Sequence, residues 1–343
     1  SRRQRQMCIR DSGVGYLCVV RKPVILIVAL IAALLIGCKE DTAGPLRMGR
    51  RQFHLNDSTE YLAIIGDIQS MVHYPANRDY LKATAHWLIW QYALHPESLR
   101  AVILTGDITE DNSPEEWRIA GELLSDLAAT VPVILTTGNH DYNTDEGRAS
   151  TGINSIAPVG PARRAIVAYF EEGRVENVVY RIRFGGRPLS VIVLEFGPRR
   201  EIVEKARDYI AGHPDEYFLL LTHELLTADG EIIADGDATA PKVWFNEKVA
   251  APTEIMRELV FPFDNVRATL CGHNGFCAHH FDLNASGRPV CSVLFNLQSQ
   301  AYGGDGWLML WQTSDGTTVE SVLFNAVSDN FCSDSFANFA FRL

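Results

Sequence analysis

No apolar run in this chain is long enough to span a bilayer comfortably: the longest, Val24–Ile36, has thirteen residues against the roughly 20 that a membrane helix needs. Neither a Walker A segment nor a Gly-x-Gly-x-x-Gly run is present, so no Gly-rich loop is offered to a nucleotide's phosphates. Basic charge is scarce: Lys+Arg number 31 against 42 Asp+Glu, for a net −11. The first 40 residues hold seven Lys/Arg and two Asp/Glu, which leaves the rest with 24 against 40, or −16. A surface that coats nucleic acid needs clustered Lys/Arg to neutralise phosphates, so this body excludes that class while leaving a cation site open. The seven cysteines match no zinc-finger spacing. No repeat, low-complexity block or Gly/Ser/Pro linker interrupts residues 55–343, which therefore read as one domain, long enough to bury a sizeable core.

Arg21 and Lys22 ahead of Val24–Ile36 supply the charged and apolar parts of an export signal. Leu35-Ile36-Gly37-Cys38 resembles the bacterial lipobox, in which the cysteine is lipidated and begins the mature protein. The expectation is a signal peptide with a probable non-native leader over residues 1–37, a solvated tether over 38–56 and the folded domain over 57–343. On this reading the protein is an exported lipoprotein of a Gram-negative bacterium, periplasmic or on the cell surface, held to the membrane through Cys38; an ordinary signal or short anchor with a chance cysteine is the alternative. Cys271, Cys277, Cys291 and Cys332 then remain in the domain, to pair in one of three ways or to stay as buried thiols.

After residue 55, short runs rich in Val, Ile, Leu or Thr alternate with helical periods. Residues 61–65, 101–105, 133–136, 191–194, 217–221 and 267–270 read as buried strands. Residues 77–93 carry apolar positions at helical spacing, and Ser113-Pro114-Glu115-Glu116 is a capping box opening a helix to about residue 129. Further helices are expected over 201–211 and 253–259. The alternation predicts an α/β layered fold.

Five of the strands end in polar clusters: Gly66-Asp67-Ile68-Gln69, Gly106-Asp107, Gly138-Asn139-His140-Asp141, Thr222-His223-Glu224 and Gly272-His273-Asn274-Gly275. In an open α/β sheet the ligand crevice lies beyond the carboxyl ends of the strands, so these distant residues can converge. Two carboxylates, an amide oxygen and two or three imidazoles suit a borderline divalent ion such as Mn²⁺, Zn²⁺ or Fe²⁺. With one carboxylate shared, the set can hold a metal pair about 3.5–4 Å apart. A lone Gly-Asp or His is ordinarily a cap or a core group; five clusters in order are not.

Those blocks, in that order, resemble the calcineurin-like metallophosphoesterase superfamily from about Tyr61 to His273, Gly-Asn-His-Asp being the most specific piece. Asn296-Leu297-Gln298 and Gly304-Asp305-Gly306-Trp307, followed by a strand-like 308–312, resemble a bacterial subgroup with an Asp-x-Gln first block. The resemblance implies a four-layer α-β-β-α sandwich of two mixed sheets and a centre with two divalent ions (Mn, Fe or Zn). Carried across, Asp67 and Gln69 hold metal one, Asp107 bridges, and Asn139, His223 and His273 hold metal two. His140 gives a proton to the leaving oxygen or stabilises the transition state, with Asp141 orienting its imidazole.

Two departures fall on metal one. Gln69 stands where the family has His, and Gly275 stands where the last block has its second His. His279 or His280 reaching back, or a carboxylate from Glu224 or Asp111, are the available replacements. Elsewhere, Trp87, Trp90 and Tyr80 read as core or a covering layer, Arg199-Arg200 as a solvated turn, 304–307 as a turn into a final strand, and residues 227–253, with Trp244 and Phe245, as a loop on the substrate side. The expected function is a metal-dependent hydrolase of a phosphomonoester or phosphodiester that uses metal-activated water at a dinuclear site. The alternative is an impaired relative that binds a phosphorylated ligand or a surface partner. Replacing Cys38 by Ser is expected to move the protein from the membrane to the soluble fraction; a variant still bound to membranes overturns the lipid anchor.

Overall fold

A computed structural model describes residues 53–343, except Thr144, Ala157, Asn246, Glu247 and Ser335. The expected signal, the lipobox with Cys38 and all but the end of the tether lie outside the described residues.

Strand β1 (Glu60–Ile65) is followed by a short helix α1 (Gln69–His73), the long helix α2 (Arg78–Leu94), β2 (Leu99–Leu104), α3 (Pro114–Thr130) and β3 (Val133–Leu135). After α4 (Gly160–Ala165) come β4 (Ile166–Tyr169), β5 (Val178–Phe184), β6 (Arg187–Val193), α5 (Arg200–Gly212) and β7 (Tyr217–Leu221). A helix α6 (Pro252–Ile255), continued by a π turn (Met256–Val260), leads to β8 (Val266–Cys271), β9 (Phe276–Leu283) and β10 (Pro289–Asn296). The chain closes with β11 (Trp307–Thr313), β12 (Thr318–Asn325), β13 (Asn330–Phe331) and β14 (Phe339–Arg342).

Two mixed sheets result, one in the order β13-β12-β11-β1-β2-β3 with β14 added on β12, the other β4-β5-β6-β7-β8-β10-β9. β1, β2 and β3 run parallel, as do β6, β7, β8 and β10. Most neighbours in those runs are separated in sequence by helices, the crossovers that parallel pairing requires.

Three apolar layers hold these elements as helix, sheet, sheet, helix. β1 is buried on both faces: Leu62 and Ile64 pack against Val191, Val193 and Leu221 of the facing sheet, while Tyr61, Ala63 and Ile65 pack toward Trp87, Leu88 and Leu124 on the helices. On the far side, Ile192, Phe218 and Leu220 meet Ile202, Val203 and Ile210 of α5. Each such buried side chain contributes about 1.5–3 kcal/mol. Burial on both faces is why β1 reads in the sequence as an unbroken apolar run.

The expected helix at Ser113 starts there, with Ser113 Oγ accepting the Glu116 N–H at 3.3 Å and Pro114 in the first turn. The capping box itself is only half made. Glu116 turns away from Ser113 to accept the Asp111 N–H at 2.8 Å and to meet His73 Nδ1 at 2.8 Å. The β5–β6 hairpin went unread although Gly185-Gly186, both at positive φ, is a strong two-residue turn signal. Residues 308–312 form no final strand: β11 lies beside β1 inside the first sheet, and three more strands follow. Trp87 is buried and Tyr80 stacks on Tyr302 at 4.5 Å, the covering role expected of them.

Cys271, Cys277, Cys291 and Cys332 are free thiols, the first three buried. Burial pushes Cys271 and Cys277 up to about 12, far from the thiolate that reacts. A maleimide at pH 8 is therefore expected to modify Cys332 and spare Cys271, Cys277 and Cys291 in the native protein, as read by peptide mass spectrometry; prompt labelling of Cys271 overturns this packing.

Candidate metal centre

The five clusters follow the carboxyl ends of β1, β2, β3, β7 and β8, drawn from both sheets. Two glycines let them close. A Cβ on Gly138 would collide with the Asp107 carboxylate, and one on Gly272 with the Asp67 carboxylate. Asp107 (φ 48°) and His273 (φ 69°) adopt left-handed backbone, a cost of order 1–3 kcal/mol each that the surrounding hydrogen bonds must hold.

One group of donors is tight. Ligand atoms of Asp107, His223 and His273 all lie within 4.8 Å of one another, and Asn139 Oδ1 is 2.8 Å from His273 Nδ1. His223 is fully buried, with Nδ1 2.7 Å from the Thr105 carbonyl. That acceptor places the ring proton on Nδ1 and leaves Nε2 with its lone pair inward. Nε2 has no hydrogen-bond partner and lies 3.4 Å from Asp107 Oδ1.

The charges of these groups conflict. Burial opposes a charged His223, yet Asp107 and Asp67 beside it push its pKa up to about 10. His273, half-buried and facing His223, is pushed down to about 3, by desolvation first and by His223 as well. Burial raises Asp107, but His223 and His140 outweigh it and hold that carboxyl low. A divalent ion among Asp107, Asn139, His223 and His273 removes the need for an imidazolium there, and the mixed nitrogen and oxygen donor set fits Mn²⁺, Fe²⁺ or Zn²⁺.

His140 sits at the rim with its side chain 25% exposed. Its N–H donates to Asp107 Oδ1 at 3.0 Å, and its Nδ1 lies 2.8 Å from the Glu110 carbonyl. Burial lowers its pKa, but Asp107 and Glu110 overcome that and raise it. The expectation that Asp141 orients this imidazole is corrected. Asp141 spends its carboxylate on the N–H groups of Ile108, Thr109 and Gly138 and on the Thr109 hydroxyl, all at 2.9–3.1 Å. It ties the β2 and β3 loops together, and Glu110 supplies the contact to the ring.

The first position is different. Asp67 accepts from Thr105 Oγ1 at 3.0 Å through Oδ1, and from the His273 N–H at 3.0 Å and Asn296 Nδ2 at 2.6 Å through Oδ2. Gln69 turns its amide nitrogen onto Asp107 Oδ2 at 2.9 Å, leaving its own Oε1 buried without a partner. Of the suggested replacements, His279, His280 and Asp111 are engaged elsewhere, and Glu224 joins no cluster of metal-spaced His, Asp or Glu donors among the described residues. His279 stacks on Phe339 at 4.2 Å and His280 lies 3.4 Å from Asp282. Asp111 groups with His73 and Glu116. Glu224 is buried with both oxygens unpartnered, and burial raises it to about 9. These residues do not fit a second tightly held ion. Asn296 and Thr105 were given no role from the sequence; the Asn-x-Gln block was a signal for Asn296, and nothing marked Thr105.

Of the segment expected to be a substrate-side loop, Trp244 and Phe245 come close to the centre. Trp244 lies 6.3 Å from the His273 ring, and Phe245 packs with Phe196 and Tyr142 while Arg148 covers its face at 4.2 Å. Arg199 pairs with the buried Glu195 and with Glu171, an interior network, whereas Arg200 pairs with Glu204 and Glu258 at the surface. Replacing Asn139 or His273 by Ala is expected to weaken Zn²⁺ or Mn²⁺ binding by more than the roughly 10–100-fold that loss of a supporting residue costs, read by competition with a chromophoric chelator. Unchanged affinity removes them from the centre.

Residues 61–275 match the family model described as calcineurin-like phosphoesterase. No curated protein matches the sequence. Among solved structures, the purple acid phosphatase PPD1 from seeds of yellow lupin (Lupinus luteus) is 12% identical, with a TM-score of 0.51, over 85% of this chain and 55% of the lupin chain. This chain thus spans little more than half of that enzyme. GAP50, described as the anchor in the inner membrane complex of Plasmodium, is 10% identical, with a TM-score of 0.47, over 83% of this chain and 88% of its own. At such identities the lupin structure speaks to the fold, whereas the family match spans more than half the chain and the strand ends that build the centre: the protein belongs to the calcineurin-like phosphoesterase family.

Proposed function

We propose that the protein is a metal-dependent phosphoesterase that hydrolyses a phosphomonoester or phosphodiester, working outside the cytoplasm from a lipid anchor at Cys38. The observation that carries the catalytic part is the buried, unpartnered Nε2 of His223, its tautomer set by the Thr105 carbonyl, within reach of Asp107 and His273. A buried imidazole nitrogen left without a partner is costly unless something electrophilic meets it. Asp107, Asn139, His223 and His273 would hold the ion. When bound, a divalent ion there supplies Lewis acidity and a water of lowered pKa.

The chain's own residues do the rest. His140 is held through its backbone N–H on Asp107 and through Nδ1 on the Glu110 carbonyl, which leaves Nε2 as the atom that exchanges a proton. Its raised pKa favours the imidazolium, the form that protonates a leaving alkoxide as the ester P–O bond breaks and water oxygen bonds to phosphorus. Trp244 and Phe245 supply apolar cover beside His273, narrowing solvent access on that side.

An aryl phosphodiester and an aryl phosphomonoester, each with Mn²⁺ or Zn²⁺, test this reading. Turnover is expected with at least one of them, falling about 10²–10⁴-fold in His140→Ala and vanishing with chelator. Absence of turnover while the ion remains bound overturns the hydrolase in favour of a phosphate-binding member of the family.

A further inference from the structure

We infer that this chain holds one tightly bound divalent ion rather than a pair, the partner position having been given over to a hydrogen-bonded cluster of Asp67, Gln69, Thr105 and Asn296. The inference rests on the metal-centre reading above and refines it.

The two positions differ in what they offer. On one side, Asp107, His223 and His273 present a carboxylate and two imidazoles within 4.8 Å of one another, with Asn139 Oδ1 2.8 Å from His273 Nδ1. On the other, Asp67 falls outside that grouping of ligand atoms. A carboxylate oxygen has two lone pairs. Both on Asp67 Oδ2 are taken, by the His273 N–H and by Asn296 Nδ2, and one on Oδ1 is taken by the Thr105 hydroxyl. Asp107 Oδ2, the carboxylate oxygen turned away from His223, accepts from Gln69 Nε2 at 2.9 Å. What remains is one lone pair of Asp67 and the unpartnered Gln69 Oε1, two oxygens and no imidazole.

Asn296 is the residue that completes the change. Its side chain bridges Asp67 Oδ2 and the His273 carbonyl, at 2.6 Å and 3.0 Å, while its own Oδ1 accepts the Gln298 N–H at 2.9 Å. The late Asn-x-Gln block thereby fastens the end of β10 to the ends of β1 and β8. Donors aimed at a carboxylate neutralise part of its charge, which is what a cation would otherwise do. Nor is the missing imidazole at position 275 a matter of space. A Cβ on Gly275 meets nothing closer than Ser299 Oγ at 3.8 Å, and its backbone is not among the positive-φ glycines, so this site tolerates a side chain it does not have.

The test uses the full chain saturated separately with Zn²⁺ and Mn²⁺, freed of excess by gel filtration, and read for metal per chain by inductively coupled plasma mass spectrometry. One ion per chain is expected, and Asp67→Asn, isosteric and folded by circular dichroism, is expected to keep it. Two per chain in the wild type overturns this inference and leaves the proposed function standing; none, together with no turnover, overturns the metal centre as a whole. Gln69→His combined with Gly275→His restores two imidazoles and is expected to raise the count to two. A folded double variant that stays at one overturns the assignment of the loss to these two positions. Gly275→His alone, at an exposed position, serves should the double variant fail to fold.

Discussion

The contact between the His223 imidazole and the Thr105 carbonyl joins the two sheets where their strand ends meet. It spans from the end of β7 to the end of β2, and it fixes which nitrogen of a fully buried ring keeps its lone pair. Everything else at the centre is arranged around that lone pair. Asp107 leaves the same turn as Thr105, reaching Oδ1 to within 3.4 Å of His223 Nε2, and Gly138 must lack a side chain because Asp107 occupies the place a Cβ would need. A shift of the sheets by one residue of register would present the opposite faces of these strands and disperse the donors.

Around this point the chain gathers groups whose charges conflict. Asp67 is raised to about 8, by burial first and by Asp107 as well, although His223 pulls the other way. His223 and His273 face one another with ring centres 5.1 Å apart, one pushed up and the other down. A buried and a half-buried imidazole with two buried carboxylates in one place cannot all adopt their preferred states in a low-dielectric interior. Perturbations concentrated in this way mark a site rather than a core. Asp141, equally buried and bonded to backbone N–H groups and a hydroxyl of its neighbours, shares the strain: burial first, and Asp107 as well, raise it to about 6.

The fold and most of the centre were legible because strand-end chemistry is local. Gly-Asn-His-Asp and the other blocks carry their residue types at fixed offsets from apolar runs, and a run buried on both faces, such as β1, is hard to mistake. Less legible were features defined by distant partners. Glu116 looked like the closing half of a capping box, but His73 and the Asp111 N–H compete for its carboxylate. Asp141 follows His140 in sequence and was expected to serve its ring, whereas the short 3₁₀ turn over Asn139–Asp141 sends the two side chains to different neighbours. Thr105 acts on Asp67 through its hydroxyl and on His223 through its carbonyl, and no spacing rule announces a strand residue doing both. The β5–β6 hairpin is a different case, since its Gly-Gly turn was present to be read.

The position of β11 bears on how this molecule is made. β1 has β2 on one side and β11 on the other, Glu60 aligning with Thr313 and Ile64 with Met309, so one flank of the central strand is supplied by residues about 250 positions later, a pairing of very high contact order. While the chain is being synthesised, that flank of β1 stays open until residues 309–313 have emerged. The sheet that frames the centre cannot close before then, and a chain that has not reached them is exposed to edge-to-edge association.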